Sequence, residues 1–295
     1  MRIGVAGLGR MGSAIGERLL AVGHQLIVWN RSQNKAAPLV DTGAELASSP
    51  AELAAKVDAI ITILTDSNAI DGIYRGPDGL LTADLTSKLV IEMSTVQPDT
   101  ETRLAEAVRG RGAAFVECPV GGTVDPARSG KLIGLVGGDA EDVARARPIL
   151  EQLCRRIEHV GPVGAGASMK LAINLPLLVY YQALGEAYSL CRHLGNDPAA
   201  VMDLFADSSG GANVLKVRGP AVAKALSGEE FIAPSFDVDS IRKDLRTMIA
   251  EGKARGIELP LVERTLAIYD EASKSGWGGR DGSSLPAFWP GRSST

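Results

Sequence analysis

The hydrophobic spacing of this 295-residue chain changes period at one place, and that change limits what the chain can fold into. Ahead of Gly161, short apolar runs of strand length alternate with helically spaced segments; beyond Gly164-Ala165-Gly166 the spacing is helical almost throughout. Alternating strands and helices call for a mostly parallel sheet covered by helices, and an all-helical remainder needs a core of its own. The expected fold class is a doubly wound α/β domain over residues 1–163 and an all-α domain over 195–295, joined by a long interdomain helix within 164–194. That helix is read from Ala165 to His193, about 29 residues without a polar loop and longer than an ordinary globular helix. Pro176 should bend it or mark an early break, because proline lacks the amide hydrogen and crowds the preceding turn. Lys170 and Asn174 stand four apart near its start, so both side chains leave one face and can reach one ligand. Spacing alone leaves open a solvated lysine and an asparagine without a task.

At the start of the chain, the apolar run Ile3 to Ala6 leads into Gly7-Leu8-Gly9-Arg10-Met11-Gly12, and helical periodicity follows from Ser13 to Val22. Strand, turn and helix in the pattern G-x-G-x-x-G suit a dinucleotide. The first glycine permits the tight turn, the second lets pyrophosphate approach the backbone, and the third lets helix pack on strand. The helix N-terminus then receives the phosphates. The next strand, Gln25 to Trp29, ends in Asn30-Arg31-Ser32, where an NAD enzyme would carry an acid for the ribose 2′-hydroxyl. No acid is there. Asn30 can hydrogen-bond the ribose without repelling a phosphate, and Arg31 offers a planar cation that suits a 2′-phosphate. NADP is therefore expected ahead of NAD, the plain alternative being a surface arginine after a strand. Strands over 58–64 and 88–93 follow, ending at Leu64-Thr65 and Ser94-Thr95. Ligands of an open parallel sheet bind off the carboxyl ends of its strands, so these four residues should border the cofactor. Ser94 and Thr95 could equally cap the helix after Pro98.

A fifth strand, Ala114 to Cys118, leads into Cys118-Pro119-Val120-Gly121-Gly122-Thr123. A Gly-Gly turn exposes backbone N–H groups to an anion, although a simple loop has the same spacing. Strands at 132–136 and 157–160, with a helix over 141–153 between them, complete the sheet. Amphipathic segments then cover 198–206, 214–225, 238–254 and 259–275. The third contains Arg242-Lys243-Asp244-Leu245, which read alone is a charged face with an intrahelical pair. The tail from Trp277 is rich in Gly, Ser and Pro, yet Leu285, Phe288 and Trp289 should pack on a surface, with the last few residues mobile.

Bulk properties exclude several classes. A net charge of -4 supplies no basic patch, so nucleic acid is not an expected partner. Cys118, Cys154 and Cys191 lie far apart with no C-x-x-C pair, which argues against a disulfide framework or a zinc site, and no His, Cys or Asp/Glu cluster suggests another metal. No apolar run reaches the roughly 18 residues of a membrane span, and the opening residues lack the apolar core of a signal peptide. A cytoplasmic protein is expected, as a homodimer or homotetramer because the helical part has many apolar faces to bury.

Taken together, these stretches resemble the beta-hydroxyacid dehydrogenase family, which includes 3-hydroxyisobutyrate dehydrogenase and the glyoxylate and succinic semialdehyde reductases. Gly7 to Gly12 is similar to its cofactor fingerprint and Cys118-Pro119-Val120-Gly121-Gly122 to its substrate loop. Gly164-Ala165-Gly166 to Lys170 and Asn174 resembles its catalytic helix, and Lys243-Asp244-Leu245 its carboxy-terminal motif. The resemblance implies a Rossmann domain, a helical domain and a site in the cleft between them. It implies a catalytic Lys170, an Asn174 that helps place substrate, and a Lys243 that borders both substrate and cofactor. Asn30-Arg31-Ser32 is similar to the NADP-using semialdehyde reductases. One departure stands out: the family loop usually reads Pro-Val-Ser-Gly-Gly, whereas here Gly121 replaces the serine that helps hold the substrate carboxylate, and Thr123 replaces the last glycine.

The expected reaction is hydride transfer between the nicotinamide and a small 3-hydroxy acid or its semialdehyde, with Lys170 managing the proton. The positive end of the helix dipole should lower the pKa of that lysine. Acid-group contacts are expected from Gly121, Gly122 and Thr123. Two other readings share the fold: an imine reductase or sugar-acid dehydrogenase, and an NADP-binding protein without turnover. Imine reductases lack a lysine at the position of Lys170, and a non-catalytic relative would have no use for Lys170 or Asn174.

Overall fold

The computed structural model describes residues 1–229 and 234–292. The chain forms two compact units, Met1–Leu171 and Ala172–Thr295, and the division falls inside one continuous helix, Ala165–Cys191.

The first unit is built on a nine-stranded sheet. In chain order the strands are β1 (Arg2–Ala6), β2 (Gln25–Trp29), β3 (Glu45–Leu46), β4 (Ala59–Thr62), β5 (Leu89–Glu92), β6 (Ala114–Glu117), β7 (Val120–Gly121), β8 (Leu132–Gly137) and β9 (Cys154–Gly161). Their spatial order is β3-β2-β1-β4-β5-β6-β8-β7, with β9 also paired to β8. The first six strands are parallel and carry the doubly wound order expected of two mononucleotide halves. β8 reverses, running antiparallel to β6 and β7 and parallel to β9. β4, β5 and β6 are buried from end to end, as continuous Val/Ile-rich runs must be when helices cover both faces. One face packs Ile3, Val5, Ile61 and Ile91 against Ile15 and Leu19 of the helix Arg10–Ala21 and Ile149 and Leu150 of the helix Ala140–Leu153. The other packs Ile60, Val90 and Phe115 against Ile70 and Tyr74 of Ser67–Arg75 and Leu104 and Val108 of Pro98–Arg109.

Two strands escape the sequence pattern because they hold two residues each, too short for any period: β3, and β7 within the glycine loop. Val120-Gly121 is therefore not part of a free Gly-Gly turn; Gly121 pairs with Ile133 of β8. The turn begins at Gly122, whose φ of 126° and whose contact with Leu132 leave no place for a side chain.

The second unit is helical among its described residues, with helices at Pro198–Asp207, Asn213–Leu226, Val238–Ala254 and Pro260–Ala272 beside its share of Ala165–Cys191. Its core gathers Leu178, Tyr181, Leu184, Met202, Leu215, Val222, Ile241, Leu245, Val262, Ile268 and Tyr269. Pro176 does not break the long helix. A helical proline costs roughly 3 kcal/mol, and burying Leu178, Tyr181 and Leu184 on the following turns offsets that. The tail packs down as expected, with Leu285 and Phe288 buried and Trp289 half-buried; the mobility expected of its end falls on residues 293–295, outside the described residues. Buried Asp281 anchors it, accepting hydrogen bonds from the backbone and hydroxyls of Ser235 and Ser283. Among the described residues no helix is long and apolar enough to cross a membrane.

Candidate active site

Parallel register brings the candidate loops of the first unit to one edge. Ala6 lies opposite Trp29 and Thr62, Thr62 opposite Glu92, and Glu92 opposite Glu117, so the segments after β1, β2, β4, β5 and β6 leave the sheet at one level.

In the first of these segments the three glycines differ in what requires them. Gly7 has a φ of 100°, and a Cβ on it would strike the carbonyl of Ile63. A Cβ on Gly12 would strike the carbonyl of Gly7. Gly9 is exposed, with nothing within 4 Å of where its Cβ would stand. Packing thus explains the first and third glycines and leaves the second facing open space. The helix Arg10–Ala21 begins at Gly9 without a side-chain cap or an acid in its first turn, so its leading N–H groups suit an anion. The turn fits the pyrophosphate of a dinucleotide.

Several expected cofactor residues prove to hold the loops in place. The Leu8 side chain is buried, and its N–H donates to Oδ1 of Asn30 at 2.8 Å, while the Asn30 amide donates to the Ser32 carbonyl at 2.9 Å. Asn30 therefore ties the glycine turn to the end of β2. Ser94 is 1% exposed: its hydroxyl accepts from the Leu64 N–H at 2.8 Å and donates to Glu92, so it joins two loops and caps no helix. Arg31, Ser32 and Arg10 are exposed, Thr65 is exposed with its hydroxyl donating to Asp66, and Met11, Leu64 and Thr95 are half-buried.

Beneath the loops lies a row of buried acids that sequence reasoning missed. Glu92 and Glu117 end β5 and β6 as register neighbours, and Glu101 of the helix Pro98–Arg109 is buried with them. The only sequence trace is a glutamate closing each of two otherwise apolar strands, Val90-Ile91-Glu92 and Phe115-Val116-Glu117. Burial, reinforced by the charge of Glu92, pushes the Glu101 carboxyl well above its ordinary range, and neither of its oxygens has a hydrogen-bond partner of good geometry. Burial pushes Glu117 up to about 7, against the pull of three backbone donors. Those donors are the Gly164 N–H at 2.6 Å, the Gly166 N–H at 2.8 Å and the Ala167 N–H at 3.3 Å. Glu117 thus caps the helix Ala165–Cys191.

Lys170 and Asn174 lie one turn apart on that helix and are both buried, 8% and 7% exposed, so the lysine is not a solvated one. Within the second unit the Asn174 amide donates to Oδ2 of Asp244 at 3.2 Å, and Lys243 pairs with Oδ1 of the same carboxylate at 2.5 Å. Asp244, 3% exposed, therefore fixes two of the expected substrate residues, a role hidden in what reads as a charged helix face. Thr123 is half-buried and makes no side-chain cap to the short helix that follows it.

Residues 2–161 match the family described as the NAD binding domain of 6-phosphogluconate dehydrogenase. Residues 164–289 match that described as NAD-binding of NADP-dependent 3-hydroxyisobutyrate dehydrogenase. The chain is 33% identical to 3-hydroxyisobutyrate dehydrogenase of Pseudomonas aeruginosa, over 98% of this chain and 99% of that one. It is 32% identical to glyoxylate/succinic semialdehyde reductase 1 of Arabidopsis thaliana, over 97% of each. Among solved structures, Psf3 in complex with NADP+ and 2-OPP superposes with a TM-score of 0.85 at 29% identity, covering 97% of this chain and 99% of the other.

Proposed function

This chain belongs to the beta-hydroxyacid dehydrogenase family and is an NAD(P)-dependent oxidoreductase acting on CH–OH groups, and from that premise we propose that it interconverts a small 3-hydroxy acid and its semialdehyde, with NADP preferred. The observation that carries the reading is the burial of Lys170 beside Asn174 on one helix face, since a cation is kept from water at a cost that a task must justify. The nicotinamide, when bound, supplies or accepts the hydride. Lys170 gives a proton to the carbonyl oxygen in reduction and takes one from the hydroxyl in oxidation. Asn174, held by Asp244, orients the substrate oxygen, and Lys243 borders the reacting groups. The N–H groups of Gly122 and Thr123 and the free Thr123 hydroxyl hold the carboxylate. Arg31 meets the 2′-phosphate; its exposed guanidinium after β2 and the absence of an acid there support this. Self-association and a cytoplasmic location complete the proposal, the first supported by exposed Leu190, Leu194, Leu204 and Val217 in the helical unit.

The test is turnover of NADPH and NADH by the wild type and Lys170→Ala with a panel of semialdehydes, glyoxylate and cyclic imines. Activity on semialdehydes, reduced at least about 10²-fold in the variant while the NADPH dissociation constant stays within about threefold, is expected. Turnover of imines alone, or an undiminished variant, sinks the proposal.

A further inference from the structure

The mechanism above leaves Glu117 unused, although this buried carboxylate touches the two segments that matter most to it. It is the last residue of β6, immediately before the Cys118 to Thr123 loop, and its oxygens accept the N–H groups of Gly164, just ahead of the helix bearing Lys170, and of Gly166 and Ala167 in its first turn. The surroundings are cut to its shape. A Cβ on Gly137 of β8 would collide with the carboxylate, and one on Gly166 would stand 3.2 Å from it. Gly164 takes a φ of 96°, a conformation that turns its N–H inward at no steric cost.

We propose that Glu117 is a positioning residue for the reaction, its carboxylate clamping the first turn of the Lys170 helix to the root of the substrate loop and its charge setting how readily Lys170 holds a proton. The proposal rests on the reading of Lys170 as the acid and base. At 1.5 Å of rise per residue, Lys170 lies within about two turns of the clamped N–H groups, so a full charge on Glu117 acts on the ammonium from roughly 10 Å. That charge is contested. Glu92 on β5 and Glu101 on the helix Pro98–Arg109 face it as like groups, Tyr74 lies against that pair, and Cys118 follows it directly in the chain. The helix N-terminus and its three donors favour the anion, while burial and Glu92 oppose it, so its charge is balanced near neutrality.

Two substitutions separate geometry from charge. Glu117→Gln keeps an oxygen that can accept from Gly164 and Gly166 and loses the charge; Glu117→Leu loses both. NADPH dissociation constants, melting temperatures, and the pH dependence of kcat and KM are measured for each, with Lys170→Ala as the control. Glu117→Gln should keep kcat within about threefold at its optimum and move the alkaline limb of carbonyl reduction to lower pH by about half a unit to one unit, because a less stabilised ammonium loses its proton earlier. Glu117→Leu should lower kcat by 10- to 100-fold, the scale of a reacting group displaced by about 1 Å, and leave NADPH binding within about threefold. If Glu117→Leu does not fold, the limb shift in Glu117→Gln decides alone. An unshifted profile in Glu117→Gln, or a kcat unchanged in a folded Glu117→Leu, overturns the proposal. A Lys170→Ala enzyme with full turnover would instead overturn the underlying reading of Lys170.

Discussion

Glu117→Gln should also stabilise the protein above neutral pH relative to acid. The folded carboxyl sits at about 7 against an ordinary 4.5, because it is fully buried. A carboxyl raised in the folded state keeps its proton where the unfolded chain has already released it. Its favourable contribution is therefore complete below about pH 4.5 and is lost as pH climbs through 7. At about 1.36 kcal/mol per unit, the loss between pH 5 and pH 8.5 is about 2.5 kcal/mol. Glutamine has no such dependence. It does turn an amide toward the Ala167 N–H, a penalty of about 1 kcal/mol or more that is the same at every pH and cancels when one pH is compared with another. Asp239 and Asp281, held below their ordinary values, lose stability in acid in both proteins and cancel too. The assay is the melting temperature of both proteins at pH 5 and pH 8.5. With about 2–4 °C per kcal/mol for a unit of this size, the variant should gain roughly 5–10 °C on the wild type between the two. A constant difference, or a variant that loses ground as pH rises, would mean that the three amide donors outweigh burial and that Glu117 ionises freely in the fold.

Arg31→Ala should weaken NADPH by about 10- to 150-fold, the 1.5–3 kcal/mol of a charge-assisted contact, and leave NADH nearly unchanged in a fluorescence titration; equal losses would assign Arg31 to the fold. Gly9→Ala should melt within about 2 °C of the wild type and bind NADPH at least about tenfold more weakly, whereas Gly12→Ala should lose stability outright, since only the second meets backbone. In Gly121→Ser the new Cβ would meet Ile133 no nearer than 3.6 Å and needs no positive φ, so the hydroxyl should lower KM for short semialdehydes by the roughly 0.5–1.5 kcal/mol of one net hydrogen bond and hinder bulkier ones. An equal shift across a size series would show that the loop does not read the carboxylate.

The sheet was legible because its central strands are buried on both faces and so appear as unbroken Val/Ile runs, while its covering helices keep an apolar stripe. What stayed hidden depends on partners far along the chain. β3 and β7 exist only through the neighbours they pair with. Pro176 looked like a breaker because local cost is visible in a sequence and tertiary burial is not. The bonds that tie Asn30 to Leu8, 22 residues away, and Ser94 to Leu64, 30 away, were not legible either, because each partner lies far along the chain. That Lys170 and Asn174 share one helix face was legible because helical spacing is local, whereas Asp244, which holds Asn174 from 70 residues away, was not.

The glycines at 161–166 show the same limit in a form that bears on mechanism. As a pattern they mark the end of the strand-and-helix part, and nothing local says why three are needed. The structure supplies part of the reason from residues far earlier in the chain: Gly164 takes a φ of 96° as its N–H meets Glu117, and a Cβ on Gly166 would strike the Leu135 carbonyl and crowd the Glu117 carboxylate. The substrate-loop motif and the helix-start motif are thus one piece of construction, joined through a single buried carboxylate. A capping acid placed on the helix itself would be free to rotate in water. One placed at the end of a fully buried strand is held by the sheet, and so transmits the position of the sheet to the helix. That explains why a costly buried charge is tolerated at this position: an apolar residue of the same size would fill the space and leave three N–H groups at the base of the Lys170 helix without an acceptor.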